Sequence, residues 1–200
     1  MGYHRAGFEV VGVDISPQPH YPFTFVQADA LAPPFNLTDF DLVHASPPCQ
    51  AYTSMSNRWR GKGTLADARL DLVGATRAVF NESGTPWVIE NVRGAPLAGF
   101  TLTGEMFGLG VHRPRIFEAS WLILVPEAPP PFRDSVPVYG KSPDGRRLWT
   151  RVDGTELRAA SSVDEASVAM GIDWLPWHEL KESIPPAYTE FIGRAFMEGR

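Results

Sequence analysis

Cysteine is nearly absent from this chain, because Cys49 is the one such residue among 200. A single cysteine excludes an intramolecular disulfide, so the thiol is either a small buried apolar group or a reactive nucleophile. Lone cysteines are more often buried apolar groups. The choice between the two roles therefore depends on the residues around Cys49.

Long apolar runs are also absent: no eighteen consecutive residues are apolar, although hydrophobic residues make up 44% of the sequence. The opening residues MGYHR lack the apolar segment of a signal peptide. We expect a globular protein of the cytoplasm, without a membrane partner.

The sequence has no excess of positive charge, since 18 basic residues face 23 acidic ones and the formal net charge is −5. Most nucleic-acid-binding proteins carry a basic surface, although an acidic total is compatible with a local basic groove. We expect two basic clusters on a solvated face or at phosphate groups. They comprise Arg58, Arg60 and Lys62, and then Lys141, Arg146, Arg147 and Arg151.

The chain does contain a series of short β-branched apolar runs. They predict strands at 8–13, 24–28, 40–45 and 86–90, and helical periodicity predicts a helix over 64–83. Strands that alternate with helices favour an α/β fold with a parallel sheet, whose ligands bind beyond the carboxyl ends of the strands. The polar segments at those ends are Asp14, Asp29, Ser46–Gln50 and Glu90–Asn91.

Residues 119–168 are rich in proline and predict a small insert with a sheet of its own. Short β-like pieces lie around Val138 and Trp149, with a turn at Asp144–Gly145, and Ser162 with Glu165 forms a capping-box pattern. The predicted organisation is a core over 1–118, the insert over 119–168, and helices over 169–200 that return to the core, the last of them at 185–197.

The opening segment MGYHRA is typical of the last turn of a helix, with Gly7 at its carboxyl cap. A nucleotide-binding βαβ unit needs a strand and a glycine-rich turn before such a helix, and its acidic ribose ligand follows the glycines by about 20 residues. Asp14 is too close to Met1 for that strand and turn to precede it.

Three motifs carry the chemistry of this sequence. Ser46–Gln50 (SPPCQ) follows a predicted strand, and its two prolines fix a stiff turn that holds Cys49 over the strand ends. Glu90-Asn91-Val92 follows Cys49 by 41 residues, again at a strand end, and Arg113-Pro114-Arg115 begins 23 residues after Glu90.

This ordered set resembles the DNA cytosine carbon-5 methyltransferases, whose pattern is Pro-Cys-Gln, then Glu-Asn-Val, then a glutamine-led arginine-x-arginine segment. The resemblance extends from Tyr3 to the final helix, and short phage-borne members share two further segments, Met106–Gly108 and Ile184–Tyr188. It implies a Rossmann-like, S-adenosylmethionine-dependent methyltransferase sheet that lacks its first strand. Residues 119–168 would then be a small target-recognition insert.

The resemblance implies DNA as the substrate and a reaction through a covalent adduct of Cys49. A thiolate added to cytosine carbon 6 makes carbon 5 nucleophilic, while Glu90 engages ring nitrogen 3 and the exocyclic amine. Asn91 would orient the loop around Glu90, and the arginines would contact the base carbonyl, Glu90 and phosphate. The base must be flipped out of the duplex. The implied catalytic residues are Cys49, Glu90, Asn91, Arg113 and Arg115.

The implied methyl donor is S-adenosylmethionine, and no metal is expected. Asp14 would bond the ribose hydroxyls and Asp29 the adenine amino group, although either side chain is also typical of a turn. Pro48 would pack between cofactor and base. The implied cofactor-binding residues are Asp14, Ile15, Asp29, Ala30 and Pro48, and the implied substrate-binding residues are Pro47, Gln50 and Ser54.

The sequence departs from the family pattern in ways that leave alternatives open. The glycine-rich first motif is missing, Val111-His112 replaces the expected glutamine, and Lys181-Glu182-Ser183 stands where the last motif has glycine and asparagine. One alternative is therefore an N-terminally truncated, inactive methyltransferase-like protein that binds DNA. Another is an amino methyltransferase acting on cytosine N4 or adenine N6, whose Ser-Pro-Pro-aromatic turn overlaps SPP here, although Cys49 occupies the aromatic position.

Overall fold

The computed structural model describes residues 1–49, 52, 72–146, 148–150 and 154–199, and within them the chain is a mixed α/β structure. The helices are α1 (Gly2–Arg5), α2 (Leu72–Ser83), α3 (Val163–Met170), α4 (Trp177–Leu180) and α5 (Pro186–Glu198). The strands are β1 (Val11–Asp14), β2 (Thr24–Gln27), β3 (Val43–Ala45), β4 (Trp87–Asn91), β5 (Phe100–Leu102), β6 (Arg115–Ala119), β7 (Leu148–Thr150) and β8 (Glu156–Arg158).

The strands form three small sheets. β1 and β2 pair in parallel, and a separate sheet of four strands has the order β3-β4-β6-β5. β3 and β4 are parallel, but β6 is antiparallel to both β4 and β5. The expectation of a parallel sheet is therefore correct for the pairs β1-β2 and β3-β4, whereas the pairs β4-β6 and β5-β6 are antiparallel. The chain reverses between β5 and β6 through residues 103–114.

The predicted strands exist, although their ends differ by a few residues. The first starts at Val11 instead of Phe8, and the third starts at Val43 instead of Phe40. Of the helix predicted over 64–83, the structure describes Leu72–Ser83, and residues 64–71 lie outside the described ranges. The last helix spans Pro186–Glu198, with the proline in its first turn as expected.

Strand β4 lies at the centre of the core, and all five of its residues are buried. Alternate side chains of a strand point to opposite faces. Ile89 accordingly packs with Val73 and Phe80 of α2, whereas Val88 packs with Tyr188 and Ile192 of α5. The carboxyl end of this strand, Glu90 and Asn91, is thereby held between two helical layers.

The insert and the C-terminal helices share a hydrophobic cluster, which contains Val138, Met170 and Leu180. Helix α3 crosses residue 168, where the sequence predicted a boundary. β7 and β8 form a hairpin as expected near Trp149, but the backbone around Val138 is not a strand. Val138 packs against the core instead of pairing with a neighbouring strand.

The predicted capping box at the start of α3 is half formed. The Ser162 hydroxyl accepts a hydrogen bond from the Glu165 backbone N–H at 3.1 Å. The Glu165 carboxylate, however, accepts from the Ser161 backbone N–H instead of that of Ser162. Arg158 draws the same carboxylate toward β8, which explains the displaced partner.

Helix α1 ends before Gly7, which adopts a φ of +101° as a helix cap favours. It packs on α5 so closely that a Cβ on Gly2 would overlap Thr189 Oγ1 and the Pro186 carbonyl oxygen. Within the described ranges, no helix is both long and apolar enough to cross a membrane.

Candidate active site

A cleft of about 780 Å³ lies beyond the carboxyl ends of β1, β3 and β4. One wall carries most of the residues that the sequence singled out, namely Asp14, Pro47, Pro48, Cys49, Glu90, Asn91 and Arg115. The opposite wall is formed by Tyr139 of the insert and by residues of the segment 172–186. The motifs that lie far apart along the chain thus line one cavity.

The proline turn after β3 is tied to the end of β4. Asn91 donates a hydrogen bond from Nδ2 to the Pro47 carbonyl oxygen at 2.8 Å, and its Oδ1 accepts from the Val92 N–H at 2.9 Å. Asn91 is 1% exposed, so these bonds satisfy a buried amide. Asn91 therefore orients the turn that carries Cys49, whereas the sequence predicted a role around Glu90.

Cys49 lies in the cleft wall and is partly exposed. The buried proline of its turn is Pro47, and Pro48 faces solvent. The thiol is thus outside the packed hydrocarbon clusters of the described core, where an inert structural cysteine would lie.

Glu90 is a buried carboxyl group, 5% exposed, in contact with Arg115. Arg115 Nε lies 3.1 Å from Glu90 Oε1, and the Ser46 side chain also hydrogen-bonds this carboxyl group. Burial raises the pKa of Glu90, while Arg115, Ser46 and Arg113 act in the opposite direction and do not cancel it. The side chain therefore holds its proton to higher pH than an exposed glutamate.

The two arginines of the third motif have different positions. Arg113 is 3% exposed and donates to three backbone carbonyl oxygens, those of Lys181 at 2.7 Å, Ser183 at 2.8 Å and Val138 at 3.3 Å. Burial and the neighbouring Arg115 lower the pKa of Arg113 to about 10, so it is still a cation at neutral pH. Arg113 thus fastens the insert and the 181–183 segment to the start of β6. The contact with the base that the resemblance implies for it, less direct than that of Arg115, stays a prediction.

The sequence also missed two polar residues that are linked to Ser46. The Tyr3 hydroxyl lies 2.8 Å from His44 Nδ1, and His44 Nε2 lies 3.2 Å from Ser46 Oγ. Burial lowers the pKa of His44 to about 4, so its ring is neutral at pH 7. A histidine two residues before Ser46 in a buried strand lies on the same face as Ser46, and this spacing is the signal that could have identified it.

The residues predicted to bind the cofactor divide into two groups. Asp14 and Pro48 line the cleft, and Asp14 Oδ1 accepts from the Ser16 N–H at 2.8 Å. Ile15 is 70% exposed and lies outside the cleft. Asp29 and Ala30 are exposed and do not line it either, and the Asp29 carboxylate accepts from the Leu31 N–H at 2.9 Å.

Several predicted residues lie outside the described part of the chain. These are Gln50 and Ser54 of the substrate set, and Arg58, Arg60, Lys62, Arg147 and Arg151 of the basic clusters.

Two residues that line the cleft, His20 and Glu179, form an ionisable pair. His20 Nδ1 lies 2.7 Å from Glu179 Oε1, and His178 Nε2 lies 3.4 Å from the same oxygen. No group of three or more His, Cys, Asp or Glu side chains among the described residues has the arrangement of a metal site.

No protein-family model matches this chain, and no curated protein matches it either.

Proposed function

We propose that this chain is a DNA cytosine carbon-5 methyltransferase that transfers a methyl group from S-adenosylmethionine to a flipped cytosine through an adduct of Cys49. The observation that carries the proposal is one cleft lined by Cys49, by the buried carboxyl group of Glu90 and by Arg115. These are three of the five residues that the resemblance assigns to the reaction.

The parallel strand pairs support a Rossmann-like methyltransferase sheet. β1 pairs with β2 and β3 pairs with β4, both in parallel, although the two pairs belong to separate sheets. Ligands of parallel sheets bind beyond the carboxyl ends of the strands, and residues at the ends of β1, β3 and β4 line the cleft.

Cys49 would act as the nucleophile. Its thiolate adds to cytosine carbon 6, the electron pair of the 5,6 double bond moves to carbon 5, and a methyl group is then taken up there. Loss of the proton from carbon 5 restores the double bond and expels the thiolate. The step needs a sulfur atom that faces a cavity, and the position of Cys49 in the lining of the cleft supports this role.

Glu90 would supply the proton that makes the addition possible. Adding a thiolate to carbon 6 places negative charge on the ring, and a hydrogen bond from a protonated carboxyl group to ring nitrogen 3 withdraws it. The raised pKa of Glu90 favours this protonated form. Arg115, which contacts Glu90, would bind the base carbonyl as well.

The residues of the cleft fit part of S-adenosylmethionine. When bound, this molecule supplies the methyl group for carbon 5. A carboxylate such as that of Asp14, at the end of a parallel strand, suits a pair of ribose hydroxyls, and the cleft volume of about 780 Å³ lies in the range of ligand pockets. The position of Asp29 does not support the predicted bond to adenine, since this side chain lies outside the cleft.

The decisive experiment is mass spectrometry of nucleosides from the DNA of a bacterial host that expresses the chain. We expect 5-methylcytosine above the level of the empty host, and its loss in Cys49→Ala at equal protein abundance. Ser120→Ala is the control. The Ser120 hydroxyl accepts from the Trp87 N–H at the opposite end of β4, so its removal should leave the level of 5-methylcytosine unchanged.

Other outcomes would reject the proposal in favour of a named alternative. N4-methylcytosine or N6-methyladenine would indicate an amino methyltransferase. DNA binding by the purified chain without any methylated base would indicate a methyltransferase-like binding protein.

A further inference from the structure

Four side chains form a line that runs from α1 to the cleft. Tyr3 hydrogen-bonds His44 and His44 hydrogen-bonds Ser46, and hydrogen bonding by the Ser46 side chain lowers the pKa of the Glu90 carboxyl group. The first two of these links measure 2.8 Å and 3.2 Å between their heavy atoms. The line joins three separate elements: α1, the β3 strand with its following turn, and the end of β4.

The chemistry of these groups restricts the direction of the bonds. Burial raises the pKa of the Tyr3 phenol, so this group keeps its proton and donates it to His44 Nδ1. A neutral imidazole that accepts at Nδ1 carries its proton on Nε2, which then donates to Ser46 Oγ. The Ser46 hydroxyl is thereby free to donate its own proton to the Glu90 carboxylate.

The surroundings of His44 reinforce this arrangement. The Tyr3 ring meets the imidazole edge-on, with ring centroids 5.5 Å apart, and the Phe117 ring lies 6.5 Å from the imidazole. An apolar environment strengthens the few hydrogen bonds it contains and makes an unpaired polar atom costly. Tyr3 and Ser46 therefore determine together which nitrogen of His44 carries the proton.

We propose that Tyr3 and His44 are positioning residues that act through Ser46 to orient the proton exchanged at Glu90. This inference goes further than the proposed function, and only its catalytic consequence rests on that function. When Glu90 is ionised, every bond points from Tyr3 toward Glu90. When Glu90 is protonated, its O–H can donate to Ser46, Ser46 to His44 Nε2, and His44 Nδ1 to the Tyr3 oxygen. The line thus has one direction for each protonation state of Glu90.

Other charged groups also act on Glu90, and the test must separate them from this line. They are Arg115, which contacts Glu90, and Arg113, which acts on it from further away. Asn91, the next residue of β4, is engaged with Pro47. Arg113, Arg115 and Asn91 donate their hydrogen bonds to groups other than Tyr3. A substitution at Tyr3 therefore leaves the effect of the two arginines on Glu90 in place.

The first measurement needs no substitution and no substrate. Nitrogen-15 NMR of the histidine ring distinguishes a proton on Nε2 from one on Nδ1. We expect the His44 ring to be neutral at pH 7, with its proton on Nε2 where Glu90 is ionised and on Nδ1 where Glu90 is protonated. A charged ring at pH 7, or a tautomer that stays the same as Glu90 titrates, would overturn the proposal.

The second measurement follows the ionisation of Glu90 by carbon-13 NMR of its carboxyl carbon, assigned with Glu90→Gln. Ser46→Ala removes the donor to the carboxylate, and Tyr3→Phe removes the donor to His44, so both should raise the pKa of Glu90. We expect an ionisation constant about tenfold smaller in each, which is about one pKa unit. Ser120→Ala removes a hydroxyl that accepts from the Trp87 N–H at the other end of β4, and it should leave Glu90 unchanged.

The results separate this inference from the proposed function. Unchanged ionisation of Glu90 in folded Tyr3→Phe and Ser46→Ala would overturn the inference, whatever methylation is found. A shift of Glu90 in both variants would support it even if the chain methylates no DNA, in which case the proposed function alone fails. If the chain methylates DNA, Tyr3→Phe should shift the pH profile of the methylation rate in the same direction as the pKa of Glu90. An equal loss of rate at every pH would instead indicate that the effect of Tyr3 is merely structural.

Discussion

At the scale of single residues, the chemistry of the cleft depends on the burial of a few ionisable groups. An exposed glutamate is ionised at neutral pH, whereas burial shifts the pKa of Glu90 toward its protonated form in spite of the arginine in contact with it. The same burial lowers the pKa of His44, so that its ring is neutral at pH 7. Burial thus provides a proton donor and a neutral imidazole within one cluster.

The raised pKa of Glu90 has a consequence for stability as well as for activity. The folded state binds the proton of Glu90 more tightly than the unfolded state, so this group adds stability below its ordinary pKa of 4.5. That contribution is lost as the pH rises through the raised value. Glu90→Gln does not lose this contribution, so its free energy of unfolding should rise relative to that of the wild type as the pH increases. The expected rise is about 1.4 kcal/mol for each unit by which the folded pKa of Glu90 exceeds the unfolded pKa.

The same substitution should lower the rate of methyl transfer by about 100-fold or more, because a neutral amide cannot release a proton. Urea unfolding at a series of pH values and single-turnover transfer would measure the two effects. A constant difference in stability across the pH range would show that Glu90 titrates as an ordinary glutamate.

The sequence identified most of the reacting groups but not the groups that orient them. Cys49, Glu90 and Arg115 were predicted from motifs, and all three line the cleft. Tyr3 and His44 were overlooked, because a lone polar residue in an apolar strand has no meaning until its partner, here 41 positions away, is known. For Arg113 the motif indicated a base contact, whereas the backbone carbonyls that surround it are brought together only by the fold.

At the scale of elements, the site is held by contacts between strand ends and the segments that follow them. The Pro47 carbonyl accepts from Asn91, and the insert and the 181–183 segment are bonded to Arg113. The Tyr188 hydroxyl of α5 donates to the Arg113 carbonyl oxygen at 3.0 Å, which fixes the backbone before β6. That backbone needs support, since Arg113 has a φ of +34°, a conformation that costs energy for any residue other than glycine.

Replacing Arg113 should therefore destabilise the whole chain. Arg113→Ala leaves three carbonyl oxygens without their donor, and we expect a loss of about 3 kcal/mol in the free energy of unfolding. Arg113→Lys cannot reach all three acceptors, so it should also destabilise the chain. Because it keeps the positive charge, its loss of free energy of unfolding should be smaller than that of Arg113→Ala.

Chemical denaturation would measure these losses, with Arg194→Ala as the matched control. Arg194 makes an exposed pair with Glu190 one helical turn away, and its removal should cost about 0.5 kcal/mol or less. Equal effects of the two alanine substitutions would contradict the role given to Arg113.

The packing of α1 on α5 gives a second prediction at this scale. A methyl group at Gly2 would overlap Thr189 Oγ1 and the Pro186 carbonyl oxygen, so Gly2→Ala must push the helices apart. We expect a loss of about 1–3 kcal/mol in the free energy of unfolding.

Gly74→Ala is the matched control. A methyl group at Gly74 of α2 would meet no other part of the described chain within 4 Å, so this substitution should instead add about 0.5–1 kcal/mol through helix propensity. Thermal unfolding of the two variants would test the pair, and an undiminished melting temperature in Gly2→Ala would contradict the close approach.

At the scale of the whole molecule, the cleft exists because three distant parts of the chain meet. Asp14 comes from β1, the three sequence motifs from the segments of β3, β4 and β6, and other lining residues from Tyr139 and the 172–186 segment. A ligand that touches all of them binds the folded chain and not the unfolded one, and so raises the melting temperature.

S-adenosylmethionine should accordingly stabilise the chain, by about 2.7 kcal/mol at a concentration 100 times the dissociation constant. Asp14→Ala should weaken binding about 10- to 100-fold, as expected for the loss of a hydrogen bond to a charged group. Asp29→Ala should have no effect, because its carboxylate lies outside the cleft and caps a turn. Titration calorimetry on the three proteins would measure this, and equal losses in the two variants would contradict the assignment of Asp14.

The sequence by itself determined the mixed α/β character of the chain, the approximate strands, the position of the last helix, and the motifs Ser46–Gln50, Glu90–Val92 and Arg113–Arg115. These are local properties, since periodicity, proline content and motif order can be read over short stretches. The tertiary structure decided the antiparallel direction of β6, the burial that shifts the pKa of Glu90, the engagement of Arg113 by distant carbonyl oxygens, and the exclusion of Asp29 from the cleft. Each of these depends on which atoms surround a group in space, and that arrangement is set by the packing of residues far apart along the chain.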